Sequence, residues 1–375
     1  MGQGKGKTHH RREKTVLTTI LSTIIVLGIL VFVHELGHFL LAKKLGVGVL
    51  TFSLGFGPKI FGKKIGETQY QIATIPLGGF VKLIGENPEE KVKEEDLCRS
   101  FSHQPVWKRA LIIAAGPFFN FFLAVVLFST ISLFGIPYSP PKVGEVNPGL
   151  PAETAGLKKG DLILSINGQD IKTWEDLSRI IRGSQGKELH LKVKRNEETL
   201  DLRVTPIPSS VKNLFGEEVS TFVIGITHSG EVVIEKVHPL VALGNGFLQT
   251  YQGIKLTIVG IIKLIQRVIP AKTIGGPILI AQLAGEQAKR GLLSLVLFMA
   301  ILSINLGVIN LFPIPILDGG HFIFLALEAI FRRPISIRKM EIAQQVGLVL
   351  IILLMLFAFY NDLIRIISPE KGFSF

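Results

Sequence analysis

The sequence predicts an α-helical integral membrane protein with four transmembrane helices, a membrane-associated β-hairpin region and one small extracytoplasmic α+β domain. Three observations predict it. First, 47% of the 375 residues are hydrophobic and mean hydropathy is +0.45, too apolar for an ordinary soluble globule, with the excess gathered in blocks. Second, four of those blocks reach the roughly 20 apolar residues that a span requires. Third, the chain between them turns to alternating, strand-like and mixed polar stretches.

Residues 1–14 read as a disordered basic tail, with five Lys/Arg against Glu13 and the adjacent pair His9 and His10. The apolar run that follows superficially resembles a signal peptide. It is too long for one and has no small-x-small cleavage site, so 15–42 is expected to be a retained first span. The second span, 110–134, has no charged residue. The third runs uncharged from 292 until Asp318, inside a segment extending to 331. The fourth, 342–360, is uncharged and its helix is expected to run to about 365. In 254–269, Lys255, Lys263 and Arg267 fall within about a third of a turn on a helical wheel, so 240–290 reads as interfacial amphipathic helices.

Basic residues set the orientation. Lys43, Lys44, Lys108, Arg109, Arg332, Arg333, Arg338 and Lys339 all border the spans on one side, which the positive-inside rule makes the cytosol. Both termini and 135–291 then lie outside, although the basic tail votes the other way. The formal charge of +12 sits beside apolar runs without an aromatic-interleaved basic stripe. It therefore points to membrane lipid and not to nucleic acid. Cys98, the one cysteine, excludes an intramolecular disulfide and any multi-cysteine metal site. It reads as a bystander thiol in a cytosolic loop.

Between the first two spans, in 43–109, residues 68–75 alternate as a strand, and Gly55-Phe56-Gly57-Pro58 and Pro76-Leu77-Gly78-Gly79 supply glycine corners. A small β-hairpin unit against the cytosolic side of the first helix is expected, followed by a charged, solvated loop at 86–96. From 137 to about 235 the composition becomes that of a soluble domain. A short strand at 143–146 precedes a short helix, a glycine turn and a strand that ends in the Asn167-Gly168 hairpin turn. Residues 174–182, with Leu177, Ile180 and Ile181 on one face, read as an amphipathic helix, and 188–194 as a strand. The run A-G-L-x-x-G-D-x-I-x-x-I-N-G at 155–168 makes this segment similar to a bacterial PDZ domain. PDZ domains bind extended peptide by strand addition; the other reading is a spacer indifferent to peptide.

The chemistry centres on His34-Glu35-Leu36-Gly37-His38, inside the first span. Positions i and i+4 share a helix face, so His34 and His38 can offer imidazoles to one metal ion, with Glu35 placed to hold a water. This is the H-E-x-x-H zinc pattern, two ligands and a general base from one helical turn. Three ionisable side chains within five residues of a span are costly and call for a functional reason. The other reading is polar residues paired for helix association. Late in the third span, Pro313 and Pro315 break the helical ladder, which is tolerated at membrane depth only inside protein or beside a water-filled cavity. Asp318 emerges from that break. A third ligand is its natural assignment, leaving a fourth position for water; the alternative is an N-cap for a helix resuming at His321. His321 itself reads as a supporting or structural histidine.

The pairing of His34–His38 in a first span with Asn310-Leu311-Phe312-Pro313-Ile314-Pro315-Ile316-Leu317-Asp318-Gly319-Gly320 in a later one, flanking a PDZ-like domain, resembles the site-2 protease family. Within it, the resemblance is to the bacterial RseP branch of regulated intramembrane proteases. It covers about 16–365 and takes in Gly55-Phe56-Gly57-Pro58, Pro76 to Lys82, Ala115-Gly116-Pro117-Phe118-Phe119-Asn120 and Gly276-Pro277. It implies one Zn2+ on His34, His38 and Asp318, with Glu35 as catalytic base. It also implies that Asn310 helps hold the substrate backbone, that Gly55, Phe56, Gly57, Thr74 and Asn120 belong to the substrate-binding set, and that the hairpin around 50–75 re-enters the membrane and pairs with substrate as an added strand. Implied substrates are single-span membrane proteins such as anti-sigma factors, and remnant signal peptides. The implied place is the bacterial cytoplasmic (inner) membrane, with the active site near the cytosolic side. One PDZ copy fits here where many RseP enzymes carry two. The rival readings are a membrane-anchored PDZ scaffold or chaperone without catalysis, and a metal transporter. The second calls for inverted repeats, which the four spans do not show.

Overall fold

A computed structural model of the chain describes residues 4–87, 92–213, 215–333 and 335–368. The first apolar block becomes α1 (Gly4–Lys44), whose 41 residues extend about 60 Å at 1.5 Å each. That is twice the roughly 30 Å of a hydrocarbon core. Residues 4–14, expected to be disordered, continue this helix, because adding Lys, Arg or Glu to an already nucleated helix costs little. Residues 1–3 of the expected tail lie outside the described residues. The helix stops where Lys43 and Lys44 meet the negative end of its dipole and Gly46 takes φ +81°, so that Val47 N–H reaches the Ala42 carbonyl at 2.9 Å.

Two long strands follow, β1 (Val49–Ile65) and β2 (Thr68–Leu83). They form more than the simple hairpin expected. Residues 51–54 have partners on both flanks, 69–72 on one and 79–82 on the other, while 61–65 pair with 68–72. Partner numbers rise together from Thr51↔Gln69 to Phe56↔Ile75 and run oppositely elsewhere. The segments therefore lie in the order 59–65, 68–75, 49–56, 79–83. Corners at Gly55, Gly57 and Gly78, all at positive φ, let each strand fold back on its neighbour. At the 66–67 turn, Glu67 accepts from Lys43 at 2.5 Å and from Arg99, which ties the sheet to the end of α1. Lys43 and, after it, Arg99 hold the Glu67 carboxyl below its ordinary range. Cys98 is exposed.

The second apolar block is α2 (Val106–Phe134), which contains Pro117. The chain then enters a separate unit, Ser132–Val241 with Ile262–Ile269. Its strands are β3 (Ile136–Tyr138) and β4 (Val143–Val146), then, after the short α3 (Pro151–Thr154), β5 (Leu162–Ile166) and β6 (Gln169–Asp170). Helix α4 (Trp174–Gly183) precedes β7 (Leu189–Arg195), β8 (Glu198–Val204), β9 (Ile207–Lys212), β10 (Glu218–Val223), β11 (Ile226–His228) and β12 (Val233–Glu235). A four-stranded sheet of order β6-β5-β7-β8 and a β4–β11 pair enclose a core that includes Ile163, Ile166, Leu177, Ile181, Leu191 and Ile224. Asn167 and Gly168 take positive φ at the expected hairpin turn. Thr173 caps α4, accepting from Asp176 N–H at 3.1 Å. Of these elements, β4, α3, β5, α4 and β7 are the ones the sequence predicted for the soluble domain.

The remaining helices belong to the first unit, Met1–Ile131, Ala242–Ile261 and Pro270–Phe375, apart from the two ends of the first of them. They are α5 (Pro239–Ile265), α6 (Pro277–Arg290), α7 (Leu292–Asn310), α8 (Asp318–Phe331) and α9 (Ile337–Ile367). Among the described residues, four helices are long and apolar enough to cross a membrane: α1 from Thr15, α2, α7 and α9. The stretch at 254–269 is not a short interfacial helix by itself; α5 begins 15 residues earlier. Its Gly246, Thr250, Gly253 and Thr257 recur on one face, opposite Lys255 and Lys263. A Cβ at Gly246 would lie 2.1 Å from Ser129 Oγ of α2, one at Gly253 would lie 2.6 Å from Ile304 of α7, and Thr257 donates to Asn305 of α7 at 2.8 Å. The N-terminus of α6 is satisfied from α9, where buried Asp362 accepts from the N–H groups of Gly276, Ile278 and Leu279 at 3.0 Å each.

Candidate metal centre and active site

Helix α1 stacks His34 and His38 one turn apart, with ring centroids 4.9 Å apart at 80° and Nε2 atoms 3.3 Å apart. Each ring is oriented from α2 through its other nitrogen. His38 Nδ1 lies 2.8 Å from the Ile112 carbonyl, which can only accept, so Nδ1 carries the proton and Nε2 keeps its lone pair. His34 Nδ1 lies 3.0 Å from the side-chain amide of Asn120. Asn120 Oδ1 is buried without a partner. Turning the amide by half a rotation, which preserves its shape, pairs that oxygen with an Nδ1 proton and frees the Nε2 of His34 as well.

Asp318 opens α8 after the proline break, and Leu317, not Asp318, is the N-cap. The capping alternative therefore does not describe it. Its Oδ2 lies 3.3 Å from His34 Nε2 and 3.6 Å from His38 Nε2, and it is buried without a hydrogen-bond partner. Two lone pairs and a carboxylate oxygen converging without a proton among them repel one another unless a cation lies between. The three edges, 3.3, 3.3 and 3.6 Å, match donors on one face of a tetrahedral zinc with bonds of about 2.0–2.1 Å. Among the described residues these are the grouped metal-ligating side chains. The donor set fits zinc and leaves one apex open.

Glycines make this proximity possible. A Cβ at Gly116 of α2 would lie 2.2 Å from His38 Nε2 and 2.7 Å from His34 Cε1. One at Gly37 would lie 2.4 Å from the Ala115 carbonyl, so the two helix backbones touch at the motif itself. Gly116 is a site residue that sequence reasoning missed. The available signal was its spacing four residues before Asn120, on the same helix face. Ser303 of α7 was also missed; it donates to the Asn120 carbonyl at 2.7 Å.

The other expected site residues divide. The Asn310 amide, at the end of α7, is 3.4 Å from His34 Nε2, one corner of the triangle. Half-buried Glu35 faces the sheet: a Cβ at Gly79 would lie 3.1 Å from its Cγ. Gly55, Phe56, Gly57 and Thr74 form a cluster of their own. A Cβ at Gly57 would lie 2.9 Å from Thr74 Oγ1, one at Gly55 would lie 2.6 Å from the Ile75 carbonyl, and Phe56 stacks on Phe80. Asn120, expected in the substrate-binding set, is fully buried, and its side-chain amide meets His34 Nδ1. The segment beside Glu35 is 79–83, outside the expected 50–75, because the sheet's mixed order puts the end of β2 on that edge. His321 stays out of the ligand triangle and packs edge-on against Phe324.

Known proteins resemble this chain over most of its length. Residues 22–354 match the family described as Peptidase family M50. The "Regulator of sigma-W protease RasP" of Bacillus subtilis is 33% identical over 427 residues, covering 93% of this chain and 99% of its own. The "Zinc metalloprotease RasP" of Geobacillus kaustophilus is 32% identical over 422 residues, covering 92% and 98%. Among solved structures, the PDZ domain of an SdrC-like protein from Listeria monocytogenes covers 24% of this chain and 88% of its own, with 24% identity and a TM-score of 0.20.

Proposed function

The chain belongs to peptidase family M50, the site-2 protease family of zinc metalloproteases, and from that premise we propose that it is an intramembrane endopeptidase cleaving single-span membrane proteins within or near their spans. The observation that carries this is the His34–His38–Asp318 triangle, built on α1 and at the proline break between α7 and α8. His38 stands six residues, about 9 Å, before the end of α1. With Lys43 and Lys44 cytosolic, the site is toward the cytosolic face, and the unit at Ser132–Val241 is extracytoplasmic.

His34, His38 and Asp318 would hold one Zn2+, which supplies Lewis acidity toward a carbonyl oxygen and a water. Glu35 takes the proton from that water and returns it to the leaving amine. Asn310, beside His34, holds the substrate backbone near the scissile bond. A transmembrane substrate must unwind to expose a carbonyl, and its freed N–H and C=O groups need partners in a dry setting. Segment 79–83 ends the strand order 59–65, 68–75, 49–56, 79–83 and passes Glu35 at Gly79, so its backbone is the one proposed to pair with substrate as an added strand. Gly55, Phe56, Gly57 and Thr74 shape the same sheet. The Bacillus relative is named a regulator of sigma-W, and the substrate class proposed here is anti-sigma factors, with remnant signal peptides a second class. Extended peptide adds as a strand beside α4 in the PDZ-like unit.

The test is cleavage of a single-span reporter by detergent-purified protein, wild type beside Glu35→Gln, with zinc quantified in both. Cleavage within the span by wild type, and a mutant inactive yet holding one zinc, is the expected result. Turnover by Glu35→Gln would remove Glu35 as the base. Absence of zinc from both would favour the non-catalytic PDZ scaffold.

A further inference from the structure

One face of α2 carries everything that orients the two imidazoles. Ile112, Gly116 and Asn120 fall within about 80° of one another on the helix, and they respectively accept from His38, admit both rings and hold His34. Arg109 begins the same face. Its guanidinium reaches Glu328 of α8 at 2.5 Å, with side-chain exposures of 12% and 20%, and its Nε is buried without a partner. Glu328 stands ten residues past Asp318, about 15 Å along α8, and Arg109 stands 11 residues before Asn120, about 16 Å along α2. The α2 positions that meet the two histidines thus follow Arg109 by 3 to 11 residues on one face, and the Arg109–Glu328 pair ties that helix to α8 about 15 Å along from Asp318.

Helix α8 needs such a fix. It is cut off from α7 by Pro313 and Pro315, so no continuous backbone ladder sets its axial position. Its first turn is pressed onto 311–315, where Cβ atoms at Gly319 and Gly320 would lie 2.3 Å from the Leu311 and Ile314 carbonyls. Nothing in that packing refers α8 to the helix that orients the histidines. We propose that Arg109 and Glu328 are positioning residues for the metal site: the ion pair sets α8 against α2 and so holds Asp318 Oδ2 at the imidazoles. Charge removal at either end leaves the other charge poorly compensated and releases the register, and Asp318 then wanders from its place. This rests on the zinc reading of the triangle.

The experiment measures zinc release to a chelator from purified full-length protein, together with kcat and KM on the single-span reporter. Glu328→Gln and Arg109→Gln should each speed release about tenfold, the lower end of what supporting partners of metal ligands contribute. Each should lower kcat with little change in KM. The double neutral variant should be no worse than either single, and the exchanged pair, Arg109→Glu with Glu328→Arg, should regain most of the loss. Glu231→Gln, which opens the exposed Lys142–Glu231 pair elsewhere, should release zinc as wild type does. Lower thermal stability with unchanged release would overturn the proposal, as would an exchanged pair no better than the singles. Should the neutral variants not accumulate, Glu328→Asp decides: faster release supports the proposal and wild-type release refutes it. Wild type without zinc would instead refute the reading on which the proposal rests.

Discussion

Asn120 shows how much a single buried side chain can matter. It is sealed from solvent, bonded to His34 Nδ1 and fixed from α7 by Ser303. Asn120→Ala removes the tautomer lock on His34, so zinc affinity should fall between about 10- and 100-fold while Glu35 is untouched. Competitive titration against a chromophoric chelator reads this directly, and undiminished affinity would mean that Ile112 and α1 alone suffice. The grouping of His34, His38 and Asp318 was legible from sequence, because i, i+4 spacing places two histidines on one face and paired prolines announce a carboxylate at a helix break. The role of Asn120 was not, because a polar residue in an apolar span reads alike whether it faces a substrate or a neighbouring ring.

At the scale of elements, the glycine corners around Gly55 and Gly78 announced turns but could not announce partners. Local spacing identifies a strand's faces, whereas a segment flanked on both sides depends on contacts some 20 to 30 residues away. Helix α5 was underestimated for a related reason. Its lysines were prominent in the hydropathy reading, and the small residues on its other face became meaningful only once α2 and α7 lay against them. The sheet's tip supplies a pH prediction. Lys43 and then Arg99 depress the Glu67 carboxyl, so the stabilisation they provide is fully present above the unfolded value, near 4.5, and is lost as pH falls through the lower folded value. Hydrogen-exchange protection across 60–70, relative to the intrinsic rate at each pH, should therefore begin to fall only as pH drops below the unfolded value, and in Glu67→Gln it should be lower at neutral pH and unchanged through acid. A wild-type profile equally flat would show that the tip is held by its backbone pairing alone.

Across the whole molecule, the candidate centre draws on α1, α2 and α8, helices separated by up to 284 positions in the chain (34 to 318). It exists only when all three are assembled, so binding there is linked to folding. Zinc at 100 times its dissociation constant should add about 2.7 kcal/mol to the stability of wild type, seen as a raised thermal midpoint. Asp318→Asn should lose both most of that increment and the metal; an equal increment in the variant would place the zinc elsewhere. The same triangle bears on which ion the protein accepts. Divalent copper heads the intrinsic affinity order, yet it favours donors in a square plane. Three donors spaced like one face of a tetrahedron, with Gly116 backbone pressed behind them, provide no such plane. Discrimination among metals is then a matter of bond angle, settled when the helices close and before any question of cellular supply arises.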